Sequence, residues 1–454
     1  MKRKRTGIAS KALLTETVAR AALDAAFARQ DTQPWYDFLS RTSHRDGLST
    51  LHSGHRDELT KYFTSSSLSA IDWVRRMSKH TPTRSSSSLS FVERLLYDTW
   101  QVMRNTLTER LQPRARLLPS RGFVLYVTEY LEWCLVIQYS IAGGAVKLEV
   151  VHGLPAPSAL YDLHSVVVTA RDDVIRSVLR NVLKSPAKLV AHRGTLIYVD
   201  RSNESDVFGP SIDTLLLNEA MVLICQESAE GPKLRSVLEV GSGNGLLSAS
   251  AVRHAPSVER LVFVDSAVRA VSCTHRNVEA HRAASRASIH GVLGKFDRSM
   301  LGGRFDLVIS NPPYIVRAPK VVVKGGTAIA GTELMEEVVR DFDSLVEPSG
   351  ALVLVYSEMA RAALQRALPA NTIKVDLDGP RGFTAVFDVE EVFDEPEWLA
   401  YLLDNGLVSR NQVEGSYSHV LRVTAVIRAD VHHSADSIAG RVKELSLACG
   451  EGHE

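Results

Sequence analysis

The residues best suited to chemistry begin with Glu239-Val-Gly241-Ser-Gly243-Asn-Gly245, which closes the apolar run Ser236–Val240 and opens a segment of helical periodicity. Glycines in such a turn let the backbone bend sharply and come close to a bound nucleotide-like ligand. Asp265 lies 20 residues beyond Gly245, at the end of a second apolar run, Leu261–Asp265. From there its carboxylate can accept both hydroxyls of a ribose. A dinucleotide fingerprint would need glycine at position 246, which is Leu246. The loop therefore predicts a cofactor site of another kind. A further run, Phe305–Ser310, ends in Asn311-Pro312-Pro313-Tyr314, a turn stiffened by two prolines and carrying a carboxamide and a flat ring.

The G-x-G-x-G spacing with an acid before it resembles the S-adenosyl-L-methionine site of class I methyltransferases. Asn311-Pro312-Pro313-Tyr314 resembles the signature of methyltransferases that act on planar, conjugated nitrogens. Its composition suits that chemistry. An amide or aromatic-amine nitrogen is a poor nucleophile because its lone pair is delocalised. The Asn311 side-chain oxygen and the Pro312 carbonyl can accept its N–H bonds, favour a more tetrahedral nitrogen and aim the lone pair at the methyl group. Tyr314 can stack on the flat target. Asn311, Pro312 and Tyr314 are thus the expected catalytic residues.

Upstream, Pro210-Ser-Ile-Asp213-Thr214 narrows the resemblance to the release-factor glutamine methyltransferase (HemK/PrmC-like) family, over Ser205 to Tyr356, roughly a third of the chain. That resemblance implies cofactor contacts from Thr214, Glu239, Gly241, Gly243, Gly245, Asp265 and Asn311. The family normally offers an acid and an apolar neighbour to the adenine after its third strand. Here Lys295-Phe296 stands in that register, so Phe296 and Asp297 are the candidates for the adenine contact. No metal site is expected, since no HExxH or CxxC pattern occurs.

These residues must be held by strands and helices in alternation, which predicts an α/β fold: a doubly wound, mostly parallel sheet of the seven-stranded, Rossmann-like type. Ligands in such sheets sit at the carboxyl ends of the strands, where every residue above falls. Within it, a helix is expected over Gly331–Leu345 and a strand over Ala351–Tyr356. Helical periodicity marks residues 7–80, and Ser85–Ser88 reads as a linker ahead of a capping box, Ser90 to Glu93. A hairpin is expected around Gly143-Gly144, a helix over Asp172–Leu183, and a strand pair at Leu189–Val190 and Leu196–Val199. The domain reading is a helical region over 1–84, an α+β accessory or substrate-recognition domain over 90–204, a catalytic domain over 205–430, and a tail or helix over 431–454.

The chain has 454 residues, 45% hydrophobic and 23% charged, which argues against a mainly disordered, fibrous or membrane protein. Its cysteines, at positions 134, 225, 273 and 449, share no short spacing, so a disulfide scaffold is excluded and a cytoplasmic setting is expected. The net charge of +1 hides a split: residues 1–120 carry 20 Lys and Arg against 11 Asp and Glu, a net of +9, leaving −8 for the rest. The expected activity is S-adenosyl-L-methionine-dependent N-methyl transfer, first to a protein glutamine amide, with a translation factor as a candidate partner. Alternatives are an rRNA or tRNA base, which the basic N-terminal part would suit, and a small molecule. No membrane partner is expected, and the sequence specifies no oligomeric state.

Overall fold

A computed structural model describes residues 104–127 (apart from 106 and 117), 133–155, 187–200, 207–227, 234–282, 286–319, 331–377, 383–388, 396–410, 416–429 and 437–450. The expected helices over 7–80 and over Asp172–Leu183, with the serine linker, lie outside these residues. The chain forms two compact units, Met1–Pro155 and Ala156–Glu454.

The described part of the first unit is an antiparallel meander of β1 (Arg121–Val127), β2 (Trp133–Ala142) and β3 (Ala145–Pro155). Gly143 and Gly144 join β2 to β3, both at positive φ as a two-residue hairpin turn requires. Leu135, Val136, Ile137 and Tyr139 are all buried.

In the second unit β4 (Ala187–His192) and β5 (Thr195–Asp200) form the expected strand pair, an antiparallel hairpin. Then come α1 (Ile212–Glu227), β6 (Ser236–Val240), α2 (Leu246–His254), β7 (Arg260–Asp265), α3 (Val268–Glu279), β8 (Ser288–Leu293) and β9 (Phe305–Ser310). After these follow α4 (Glu333–Arg340), α5 (Phe342–Leu345), β10 (Val346–Ser357), α6 (Arg361–Ala367), β11 (Thr372–Asp376) and β12 (Phe383–Asp388). The chain closes with α7 (Pro396–Asp404), β13 (Ser409–Arg410), β14 (Ser416–Arg428) and α8 (Ile438–Gly450). The main sheet runs β11-β14-β10-β9-β6-β7-β8, with β12 and β13 also paired to β14. Strands β10, β9, β6, β7 and β8 are parallel, and β14 is antiparallel to its neighbours. This is the doubly wound, mostly parallel sheet that the sequence predicts. Its middle strands are near-continuous apolar runs because helices cover both faces; Val237, Leu238, Leu307, Val308, Leu352 and Val353 are fully buried.

Strand order reverses between β6 and β9, and a ligand crevice opens at such a switch point. Register sets what lines it. Val240 of β6 pairs with Ser310 of β9 and with Val264 of β7. The next residues, Gly241, Asn311 and Asp265, therefore emerge side by side. At the opposite end the Asp306 carboxylate accepts from the Arg235 and Ser236 backbone N–H groups at 2.9 and 2.8 Å, locking that register.

Two expected elements differ in extent. The helix expected over Gly331–Leu345 breaks at Asp341 into α4 and α5, because the turn lets Phe342 and Leu345 reach the core, where both are fully buried. The strand expected over Ala351–Tyr356 starts earlier, at Val346, with a register shift before Ala351. The described part of the closing 431–454 segment is helical, and α8 packs on β10.

Candidate active site

The glycine loop turns because its three glycines take left-handed backbone angles, with φ of 77°, 49° and 77° at Gly241, Gly243 and Gly245. Two of them serve different ends. A Cβ on Gly245 would lie 2.6 Å from Thr274 Cα, so this glycine lets α2 and α3 approach. Among the described residues, a Cβ on Gly241 would meet nothing nearer than Leu334 Cδ2 at 3.9 Å.

Gly245 caps α2 without a side chain, so the helix's first N–H groups need other acceptors. Asn244 Oδ1 accepts from Leu246 N at 3.0 Å, and Glu239 Oε2 accepts from Ser248 N at 3.0 Å and from the Ser248 hydroxyl. Glu239 is buried, and burial pushes its carboxyl up to about 8 against the pull of the Ser248 hydrogen bonds. At the end of β7, Asp265 uses one oxygen to accept from Gly243 N and the other to accept from Ala267 N, both at 2.9 Å. Each oxygen keeps a second lone pair for a further donor.

After β9 the Asn311–Tyr314 turn meets the first turn of α1. Asn311 Nδ2 donates to Thr214 Oγ1 at 2.9 Å, and the Tyr314 hydroxyl donates to Asp213 Oδ2 at 2.9 Å. Asp213 Oδ1 also accepts from Thr214 N at 2.7 Å and from the Ser211 hydroxyl. Pro312 is buried behind the turn. Behind Tyr314 stands His419 of β14, its ring centroid 6.1 Å away and its Nδ1 2.8 Å from Ser357 Oγ. Burial pushes His419 down to about 4, which keeps it neutral near pH 7.

The structure thus places Gly241, Asp265 and Asn311 at adjoining strand ends, with Gly243 bonded to Asp265 and with Asn311 and Tyr314 held by Thr214 and Asp213; Glu239, Gly245 and Pro312 are buried in the same loop and turn. Thr214 meets Asn311 there. Phe296 is buried just after β8. Asp297 is exposed and caps the 3₁₀ turn Arg298–Met300 by accepting from Ser299 N at 2.8 Å; hydrogen bonds from the Ser299 hydroxyl and then from its backbone N–H hold the carboxyl below the usual range. Sequence reasoning did not single out Asp213, although the quoted motif contains it, nor Asn244, Ser248 and Thr274. It also missed His419, whose strand it did not read. Among the described residues no group of three His, Cys, Asp or Glu side chains is placed to hold a metal ion.

The methyltransferase small domain family matches residues 218–371, which span β6 to β10 with the glycine loop, Asp265 and the Asn311–Tyr314 turn. Methyltransferase HEMK2 of Mus musculus is 30% identical over 168 residues, covering 35% of this chain and 75% of that protein. The chain belongs to the HEMK2 methyltransferase family. The Homo sapiens HEMK2 is likewise 30% identical over 165 residues, with 75% of its length covered. Release factor glutamine methyltransferase of Chlorobaculum tepidum is 30% identical over 106 residues, covering 23% of this chain and 36% of that protein. As a HEMK2-family enzyme, the chain is a methyltransferase, and the carboxyl ends of β6 and β9 are where its glycine loop and its Asn-Pro-Pro-Tyr turn converge.

Proposed function

We propose that the chain transfers a methyl group from S-adenosyl-L-methionine to the side-chain amide nitrogen of a glutamine in a protein, with a translation factor as the candidate substrate. The observation that carries this reading is the Asn311–Tyr314 turn, whose carboxamide stands at the carboxyl end of β9 beside the glycine loop. The residues present fit the cofactor: room over Gly241 among the described residues, a buried acid at Glu239, and an Asp265 carboxylate with lone pairs to spare for ribose hydroxyls. Bound there, S-adenosyl-L-methionine supplies an electrophilic methyl group. Phe296 and Asp297 are the residues proposed for the adenine end.

Asn311 Oδ1 and the Pro312 carbonyl accept the two amide N–H bonds of the substrate, holding its nitrogen in line for attack. Tyr314 offers its ring to the planar amide. Delocalisation makes the amide nitrogen unreactive, so positioning and these acceptors replace a strong base, and the N–H proton displaced by the methyl group leaves by way of one of them to water. The name of the Chlorobaculum tepidum relative, a release factor glutamine methyltransferase, supports the glutamine acceptor. Among the described residues no helix is long and apolar enough to cross a membrane.

The test is methyl transfer from labelled cofactor to a release factor, followed by digestion and mass spectrometry. One added methyl on a glutamine is the expected product. Asn311→Ala should lower kcat roughly 10²-fold or more while calorimetric cofactor affinity largely survives. Unchanged transfer by that variant would overturn the assignment.

A further inference from the structure

We propose that Asp213 is a positioning residue that fixes both ends of the Asn311–Tyr314 turn and, through Thr214, sets which face of the Asn311 carboxamide meets the acceptor nitrogen. This rests on the reading of Asn311 as the acceptor-binding residue.

Proton accounting along the hydrogen-bond chain carries the inference. Asp213 and Thr214 are the second and third residues of α1, where the helix dipole favours an anion. A carboxylate has no proton to donate, so every group around Asp213 must point its hydrogen inward. Tyr314 gives its hydroxyl proton to Oδ2 at 2.9 Å, and Ser211 gives its only hydroxyl proton to Oδ1. Thr214 Oγ1 lies 3.2 Å from Ser211 Oγ and 3.5 Å from Asp213 Oδ1, so its single proton goes to one of these. Its lone pairs then face Asn311, and only the NH₂ side of the carboxamide can approach, as the 2.9 Å Nδ2 contact shows. Oδ1 is left as the group turned toward the acceptor.

The same carboxylate holds the Tyr314 hydroxyl. That residue therefore offers the acceptor its ring and not its OH. A neutral carboxamide at 213 would carry donors, remove the proton sink and let the chain reverse, turning NH₂ toward a substrate that needs an acceptor.

The experiment uses the full chain with Asp213→Asn, Tyr314→Phe, Thr214→Val and Thr214→Ser. Asp213→Asn should lower kcat about 10²-fold while the calorimetric affinity for S-adenosyl-L-methionine stays within about threefold. Thr214→Val should fall similarly and Thr214→Ser should recover, because serine restores the hydroxyl. Combining Asp213→Asn with Tyr314→Phe should cost less than the product of the single effects, since both break one contact. A readout independent of any acceptor is ¹⁹F NMR of 3-fluorotyrosine at position 314, whose resonance should shift in Asp213→Asn.

If Asp213→Asn lowers the melting temperature but leaves kcat unchanged, the residue is only a helix-start contact and the proposal fails. An unmoved fluorine resonance overturns it as well. Failure of the wild-type enzyme to methylate any glutamine would instead strike the functional reading, while the fluorine resonance would still decide whether Asp213 holds Tyr314.

Discussion

At Glu239, a carboxyl group sits at the end of a buried apolar strand with two hydrogen bonds from Ser248 as compensation. Its folded-state value is raised from 4.5 to about 8, chiefly by burial. The sign follows from linkage: the folded protein holds this proton where the unfolded chain has lost it. Stability from the group is complete below pH 4.5 and is lost as pH rises through about 8. Between pH 5 and 8 the wild type should thus lose up to about 1.4 kcal/mol per pH unit relative to Glu239→Gln, which has no proton to lose. Thermal melts of both proteins across that range would read it, and parallel curves would contradict the assignment. A cofactor bearing an ammonium group near this acid should favour its ionised form. Calorimetric titrations in buffers of different ionisation heat should then show proton release on binding near pH 7.

Among the elements, the β4–β5 hairpin illustrates how polar groups hold a piece of sheet against helices. At its turn, Arg193 takes a positive φ of 49° and donates from Nε to Glu219 Oε2 of α1 at 2.7 Å. His192 Nε2 lies 2.9 Å from Glu219 Oε1, and Asn218 Nδ2 lies 2.8 Å from His192 Nδ1. Burial alone would raise Glu219, but Arg193 and His192 overcome it and hold the carboxyl down at about 2. For a lowered acid the stabilisation is present above pH 4.5 and disappears as pH falls toward 2. Glu219→Gln should cost about 3–5 kcal/mol near pH 7, because it leaves a buried cation without its partner. Denaturant unfolding at pH 7 and pH 3 checks this: the gap between variant and wild type should shrink at the lower pH. None of this was legible in the sequence, where His192, Asn218 and Glu219 show no periodic or motif signal and are brought together only by the fold. By contrast β6, β7 and β9 were legible as short apolar runs ending in Gly241, Asp265 and Asn311, because a strand buried on both faces leaves a continuous hydrophobic signature. Strands β11–β14 escaped reading. Thr372–Asp376 mixes lysine and aspartate with apolar residues, and the long β14 places Arg422, Thr424 and His419 among its apolar positions, so neither pattern dominates.

On the scale of the whole molecule, the charge of +9 over residues 1–120 against −8 over the remainder bears on how an acceptor is chosen. The crevice supplies the chemistry common to planar nitrogens, and the turn around Asn311 does not by itself distinguish a glutamine in one protein from a glutamine in another. Selection must draw on surface beyond the crevice, and the basic stretch over residues 1–120 is where the sequence concentrates positive charge. Exposed charges interact across roughly one Debye length, about 10 Å at 0.1 M salt and less above it. If that basic part recruits an acidic face of a protein substrate, raising ionic strength from about 0.05 to about 0.3 M should raise KM for the acceptor several-fold, with kcat nearly constant. Cofactor affinity should move little, since Glu239 and Asp265, the acids proposed to hold the cofactor, are buried and half-buried and are screened less by salt. An acceptor KM that ignores salt would remove the charge split from substrate choice. A nucleic-acid acceptor would show a steeper, linear dependence of log affinity on log salt, and label from tritiated cofactor in a lysate would then vanish with nuclease and survive protease. Protease-sensitive, nuclease-resistant label with a moderate salt effect is the outcome expected of a protein glutamine acceptor.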